Sequence, residues 1–386
     1  MPNPFEKRAT EYLRDDEAFL AVVTPEPLQT FFSGPADEDK LYDRLVMLIG
    51  TPGSGKTTLA RLFQYPTLAA ILRSGASQSH SNLIDTLTAC RAITNGRPSV
   101  LGTRISLESE YREIWEFPYP ADLKIGLTHT LLQARSVLGW MRAIEATGAD
   151  LGWVSIIPRA DSDAAVEAIG GLSGDGVLDR AREVELGIYR VAAALVPPRV
   201  DELDEGVLSG YRPFDVIESI SIAHDGPADL RPLAIFDDAH RLHPNQLEAL
   251  TRWLVRREMR IARWVLTRLD ALSPTEVLVD ALEEPPEPGI TRAREVTEIW
   301  MQSVGGNRTN NRRAFRSMAV DMSGRYMLQM DVLRRRNLRR LPDLLEDEPA
   351  PLSQSKVTAL ERHADAVQRR VRMQNARRAE LTADVE

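Results

Sequence analysis

The stretch Gly50-Thr51-Pro52-Gly53-Ser54-Gly55-Lys56-Thr57-Thr58 determines how the rest of this sequence is interpreted. Its first eight residues match the phosphate-binding loop pattern G-x-x-x-x-G-K-[ST], the P-loop or Walker A motif, at every fixed position. The glycines let the backbone curl so that successive N–H groups point toward phosphate oxygens. Lys56 is then expected to reach the β- and γ-phosphates of a nucleotide, while Thr57 offers its hydroxyl to Mg²⁺. We therefore expect residues 50–58 to bind the nucleotide.

The residues on either side of this stretch predict the strand and the helix that a P-loop connects. The apolar run 44–49 is typical of a buried strand in a parallel sheet, and Leu59, Leu62 and Phe63 recur at helical spacing. Further strands are predicted over residues 99–107, 233–236, 261–267 and 295–301, and helices over 5–23, 122–145 and 177–195, from 243 and from 310 onward. The predicted fold class is α/β, a P-loop NTPase parallel sheet flanked by helices.

An acidic pair follows one of these predicted strands. In Leu233-Ala-Ile-Phe-Asp237-Asp238 two carboxylates stand at the carboxyl end of an apolar run, as in a Walker B motif. A P-loop site needs an acid on a neighbouring strand to hold Mg²⁺ through water, so Asp237 is predicted at the metal. Asp238 is predicted to orient or deprotonate the attacking water. The alternative is an acidic pair that only caps a helix.

Thr267 and Arg268 end the next predicted strand. In many P-loop enzymes a polar residue two strands away senses the γ-phosphate, and either residue could serve here. An exposed strand end carrying the same residues is an equally compatible interpretation.

Two segments of the chain resemble an AAA+ ATPase. They are residues 50–61, Gly-Thr-Pro-Gly-Ser-Gly-Lys-Thr-Thr-Leu-Ala-Arg, and residues 235–242, Ile-Phe-Asp-Asp-Ala-His-Arg-Leu. Specifically, they resemble bacterial relatives of the origin-recognition-complex group, with the STAND class of signalling ATPases as the near alternative, and the resemblance covers about residues 3–65 and 230–330. This resemblance implies ATP as ligand with Mg²⁺, ATP hydrolysis, a five-stranded parallel core, a helical lid and often a homo-oligomer.

The sequence departs from this family in three ways. The acidic pair is Asp-Asp rather than Asp-Glu, so the shorter Asp238 side chain indicates slow hydrolysis. Lys56 and Asp237 are 181 residues apart, which implies an insertion of roughly 100 residues, since βα units span about 30. An arginine finger is not assignable from the sequence, where the candidates are Arg256, Arg257, Arg268, Arg312 and Arg313.

ATP is favoured over GTP because none of the five lysines stands in an Asn-Lys-x-Asp element. A P-loop small-molecule kinase, with arginines of residues 308–316 as a phosphate lid, is a less favoured alternative.

These patterns divide the chain into six predicted parts. They are 1–106, the N-terminal segment and first half of the ATPase core; 107–228, a mostly helical insertion; 229–303, the second half of the core; 304–341, a basic helical lid; 342–353, a linker; and 354–386, a C-terminal helix.

The distribution of charge suggests two kinds of partner. The chain carries a net charge of -8, yet residues 304–340 hold 10 basic against 2 acidic side chains. Residues 308–340 could therefore contact DNA, in replication, transposition or phage defence. A solvated lid face is the alternative for this basic region. The insertion 107–228 is the expected site for a protein partner, as in a nucleotide-gated signalling or scaffold protein.

Other features exclude some classes of protein. No apolar run approaches the 18 residues that a membrane span needs, so we expect none, and without a leader pattern we expect a cytoplasmic location. The single cysteine, Cys90, cannot form an internal disulfide. His240 and His243 are more consistent with capping than with metal binding, and the aromatic cluster around Trp115 is predicted to pack in the insertion.

Overall fold

The computed structural model describes residues 16–37, 40–73, 78–159, 163–194, 196–203, 211–223, 228–256, 258–269, 295–301, 308–338 and 353–383. They fall into two compact units, Met1–Met322 and Ser323–Glu386. Most of the predicted helix 5–23 and nearly all of the predicted linker 342–353 lie outside the described residues.

The first unit contains nine strands. They are β1 (Leu45–Gly50), β2 (Ile93–Thr94), β3 (Arg97–Pro98), β4 (Val100–Ser106), β5 (Val154–Pro158), β6 (Ile217–Ile222), β7 (Ala228–Asp237), β8 (Ala262–Arg268) and β9 (Val296–Trp300) in its described residues.

Helices connect and cover these strands. They are α1 (Asp16–Leu20), α2 (Glu26–Phe31), α3 (Ser33–Asp37), α4 (Lys56–Leu62), α5 (Tyr65–Arg73), α6 (Gln78–Ala89), α7 (Ser109–Glu113), α8 (Ala121–Glu145), α9 (Asp163–Ala168), α10 (Gly174–Ala193), α11 (Pro213–Val216), α12 (Pro244–Leu254) and α13 (Arg308–Gln329), the last of which runs into the second unit.

The main sheet is mixed and mostly parallel. Its parallel part has the order β4-β7-β8-β1-β9. The first residues of the long strand β7 pair antiparallel with β6, which in turn pairs antiparallel with β5. All five strands predicted from apolar runs are present and belong to the parallel part, where burial on both faces requires continuous apolar sequence.

The strand order corrects one expectation. The strand that ends in Asp237 was predicted to neighbour the P-loop strand, and the strand that ends in Thr267 to lie two strands away. Instead β8, with Thr267, pairs directly with β1, while β7 lies beyond it. Sequence patterns identify strands but contain no information on which long-range neighbour each one takes.

Strand β4 is packed closely on both faces. On one face, a Cβ built on Gly102 would lie 1.9 Å from the carbonyl oxygen of Phe63, just after α4. On the other face, a Cβ built on Gly139 of α8 would lie 2.2 Å from Oγ1 of Thr103. Because side chains alternate along a strand, Gly102 and Arg104 share the face toward α4.

Residues 107–228, the predicted insertion, are built chiefly from α8 and α10, where helices were predicted, and also contribute β5 and β6, which were not predicted. Arg135 of α8 joins its helices: the guanidinium contacts both carboxylate oxygens of Glu110 and donates to Glu185 at 3.0 Å. These contacts lower the pKa of the Glu110 carboxyl, chiefly through the hydrogen bond from Arg135.

The second unit consists of helices in its described residues. The last residues of α13 are followed by α14 (Asp331–Arg335) and by α15 (Gln354–Ala383), the predicted C-terminal helix. Within the part of the chain that the structure describes, no helix combines the length and apolar character that crossing a bilayer requires.

Candidate functional site

The glycine-rich loop, residues 50–55, follows β1 and leads directly into α4. Gly53 and Gly55 adopt left-handed backbone conformations with φ of 81° and 89°, which glycine adopts without strain. Gly50 is favoured for a different reason, because a Cβ there would lie 2.5 Å from Oγ of Ser54 and 2.9 Å from Cβ of Met301. Backbone conformation therefore explains why residues 53 and 55 are glycines, and close packing explains why residue 50 is one.

Lys56 is held against this loop. Its ammonium donates hydrogen bonds to the carbonyl oxygens of Gly50 at 2.7 Å and Thr51 at 3.1 Å, and lies 3.3 Å from Oγ of Ser54. The positive charge is thus fixed at the loop that the motif assigns to phosphate binding. Pro52 and Thr58 complete the segment, and Thr58 lies in α4.

Thr57 and Asp237 lie in direct contact. The Thr57 hydroxyl donates to Oδ2 of Asp237 at 2.9 Å, across 180 residues of sequence. Oδ1 of the same carboxylate accepts the backbone N–H of Asp238 at 2.9 Å. The Asp237 side chain is only 1% exposed. The structure therefore brings the two predicted metal-side residues together.

Asp238 is positioned differently from its neighbour. Its backbone adopts the left-handed conformation, with φ 58° and ψ 35°, which aspartate tolerates better than most residues. Its side chain is 32% exposed, and it makes no capping hydrogen bond to the short 3₁₀ turn that follows. The acidic pair is thus split into one buried carboxylate and one that solvent can reach.

Arg104 is the site residue that the sequence analysis missed. Its Nε donates to Oδ2 of Asp237 at 2.7 Å, the same oxygen that Thr57 contacts. The register explains this contact: Arg104 pairs with Ile235, and Asp237 stands two residues further on the same face. Arg104 is the one charged residue of β4, and this was the available signal.

Thr267 and Arg268 end β8 beside the glycine-rich loop. In the β1–β8 register Thr267 is opposite Ile49 and Arg268 is opposite Gly50. Thr267 is 1% exposed, and its hydroxyl has no hydrogen-bond partner among the described residues. A buried hydroxyl without a partner is unusual and is compatible with a bound group that supplies one.

The residues present fit a magnesium nucleotide. Mg²⁺ takes hard oxygen ligands, usually one or two side chains together with phosphate oxygens and water. Thr57 and Asp237 supply a hydroxyl and a carboxylate side by side. Among the described residues no group of three or more His, Cys, Asp or Glu could hold a metal without such ligands. His243 instead caps α12 by accepting the N–H of Asn245.

The remaining arginine-finger candidates are dispersed. Arg256 is exposed two residues after the end of α12, with Nε 3.6 Å from Oε2 of Glu258. Arg257 lies outside the described residues, as do the side chains of Arg312 and Arg313. Of the candidates whose side chains the structure describes, Arg268 is the one beside the glycine-rich loop.

A pocket of about 250 Å³ lies among α8, α11 and α12. Its lining includes His129, Tyr211 and Trp253, and none of residues 50–58 or the acidic pair. The His129 ring stacks on Trp253 with centroids 4.4 Å apart, and burial lowers the pKa of His129 to about 4. No sequence pattern pointed to this pocket.

No protein-family model matches this chain, and no curated protein matches its sequence significantly. The class of the protein is therefore defined by its architecture, an α/β fold with a mostly parallel mixed sheet flanked by helices, which is compatible with a P-loop fold.

Proposed function

We propose that this protein binds ATP with Mg²⁺ at the glycine-rich loop and hydrolyses it, as an AAA+ type ATPase. The observation that carries the proposal is the 2.9 Å hydrogen bond between Thr57 and Asp237. Residues 50–57 alone define the motif, and nothing in it requires Asp237 to lie beside Thr57. The contact is thus a second, independent argument for a nucleotide site.

Each residue has a role that its surroundings support. Lys56 and the backbone N–H groups of the loop would bind phosphate oxygens. Thr57 and Asp237 would hold Mg²⁺, which when bound neutralises negative charge on the phosphates. Asp238, the more exposed carboxylate, would orient and deprotonate a water. Thr267 would donate its unpartnered hydroxyl to the γ-phosphate, with Arg268 as the second candidate.

ATP binding is the first test of this proposal. Titration calorimetry in Mg²⁺ should show Lys56-dependent binding of ATP. Lys56→Ala should weaken it at least tenfold, about the value of one charge-assisted hydrogen bond. Lys124→Ala is the matched control, because this lysine donates to the carbonyl of Trp115 in the inserted segment. Equal affinity in wild type and Lys56→Ala would refute the assignment.

Hydrolysis is tested separately at Asp238. Asp238→Asn preserves the size of the side chain and removes the base, so ATP affinity should persist. Steady-state turnover should fall by about 100-fold or more, the usual contribution of general base catalysis. Unchanged turnover would remove Asp238 from the catalytic group and leave the binding proposal intact.

We infer that DNA or a DNA-associated complex is the target on which this ATPase acts. Exposed arginines in both units support this inference: Arg316 in α13 of the first unit, and, in the second unit, Arg334 and Arg335 in α14 with Arg336 directly after it. Arginines at such positions can contact phosphates without reading sequence. Arg339 and Arg340, part of the same predicted region, lie outside the described residues.

A second candidate is a nucleotide-gated switch that controls a protein partner. It is favoured by apolar side chains that stand exposed on the inserted segment: Trp153 at 48%, Leu186 at 50% and Val196 at 81%. Leu186 and Tyr189, which is 44% exposed, stand three residues apart on α10 and so share one face of that helix. Grouped exposed apolar side chains are typical of protein-binding surfaces.

Turnover with and without duplex DNA discriminates between these targets. Stimulation by DNA that declines steeply with salt would support the DNA-directed function, because phosphate contacts release counterions. Slow turnover that does not change when DNA is added would favour the nucleotide-gated switch. Replacing Arg334 and Arg335 with glutamate should abolish stimulation by DNA if the protein acts on DNA, and should leave turnover unchanged if it is a switch.

A further inference from the structure

Two hydrogen-bond donors share one oxygen at the candidate magnesium site. Oδ2 of Asp237 accepts from Oγ1 of Thr57 at 2.9 Å and from Nε of Arg104 at 2.7 Å. The carboxylate is 1% exposed and the arginine side chain 30%. Arg104 is thus a cation already bound to the residue that the proposed function assigns to the metal.

We propose that Arg104 is a positioning residue that occupies Asp237 in place of Mg²⁺ and must withdraw when magnesium nucleotide binds. The inference rests on the proposed function and adds a form of regulation to the same site. Charge is the reason for the exchange. A guanidinium and a divalent cation repel each other strongly at a few ångströms when water is largely excluded, so one buried carboxylate cannot serve both fully.

The fold allows the exchange without rearranging the sheet. Arg104 points toward the same face as Asp237 because it pairs with Ile235 in the β4–β7 register. Its long side chain is partly exposed, so it can leave Asp237 for solvent or for a phosphate by changing rotamers only. Asp237 keeps its bonds to Thr57 and to the N–H of Asp238 in either state.

The measurable consequence is the dependence of nucleotide affinity on magnesium. In the wild type Mg²⁺ must displace Arg104, which reduces the gain in affinity that the metal provides. In Arg104→Gln nothing has to be displaced, and in EDTA the uncompensated Asp237 repels the phosphates. The ratio of the ATP Kd in EDTA to that in Mg²⁺ should therefore rise about tenfold or more, the usual value of a hydrogen bond between charged groups.

The experiment measures this ratio by calorimetry in four proteins. Arg231→Gln is the matched control, since Arg231 lies on β7 and is 3.5 Å from exposed Asp43. It should keep the wild-type ratio. Arg104→Lys keeps the positive charge and should give an intermediate ratio, and it also serves if Arg104→Gln fails to fold.

The outcomes separate the two proposals. A ratio in Arg104→Gln or Arg104→Lys within twofold of wild type, with ATP binding still dependent on Lys56, would overturn the inference alone. Absence of Lys56-dependent binding in the wild type would overturn the proposed function and this inference with it. A rise confined to the Arg104 variants, absent in Arg231→Gln, would establish the exchange.

Discussion

Two glycines of the same helix should respond oppositely to alanine. Gly126 and Gly139 both lie inside α8, where alanine is favoured over glycine by about 1 kcal/mol. At Gly126 an added Cβ meets no heavy atom within 4 Å, so Gly126→Ala should raise the free energy of unfolding by about 1 kcal/mol. At Gly139 the Cβ would lie 2.2 Å from Oγ1 and 3.0 Å from Cβ of Thr103.

Overpacking of this kind costs about 1–3 kcal/mol. Rotating Thr103 cannot relieve the conflict, because its own Cβ is too close. The two variants should therefore differ by about 1–3 kcal/mol, with Gly126→Ala the more stable.

Urea denaturation followed by circular dichroism measures this difference in the free energy of unfolding, provided that the two variants have the same m value. Thr103→Ala removes the Oγ1 atom that the new Cβ would meet. The double variant Thr103→Ala/Gly139→Ala should therefore be more stable than the sum of the two single effects predicts. Equal stabilisation by both alanines, or no coupling, would refute the proposed packing of α8 on β4.

Three other changes test the site, the insertion and the pocket. Thr267→Val should raise the urea midpoint, with a gain of about 1 kcal/mol, because a buried hydroxyl without a partner is removed; a lower midpoint would contradict this. Arg135→Ala should cost about 2 kcal/mol, since Glu110 and Glu185 lose their cation, and Arg182→Ala, an exposed pair, should cost far less. His129 has a folded-state pKa of about 4 against an ordinary 6.5, so stability should fall as pH drops from about 6.5 toward 4, by up to about 3 kcal/mol. His129→Gln should flatten this part of the stability profile, and an unchanged profile would contradict the burial argument.

The sequence predicted those elements whose signal is local. Strands β1, β4 and β7–β9 are short apolar runs, and α8, α10 and α12 have apolar residues at helical spacing. The hairpin β2–β3 also had a local signal, the dipeptide Asn95-Gly96, whose positive φ values of 52° and 71° fit a tight hairpin turn. It was overlooked because each strand has only two residues.

What could not be predicted depends on contacts between distant residues. The strands β5 and β6 are amphipathic and short, and they are strands because β7 extends far enough to pair with β6. Arg104 joins the candidate site only through the β4–β7 register. Its charge inside the predicted strand 99–107 marks it as unusual, but only the register identifies Asp237 as its partner.

The position of α4 explains how a site can form from strands that are not neighbours. Asp237 is separated from β1 by β8, yet it touches Thr57 because Thr57 belongs to α4, which packs against β7. The turn through Gly53 and Gly55 orients α4 so that it runs from β1 toward β7, the strand beyond β8. Directly after the C-terminal end of α4, the backbone packs against β4, where Gly102 leaves room for the carbonyl of Phe63. Because α4 runs in this direction, Thr57 lies over β7, and α4 lies on the same face of β4 as Arg104. The loop glycines and Gly102 therefore help to determine which side chains form the site.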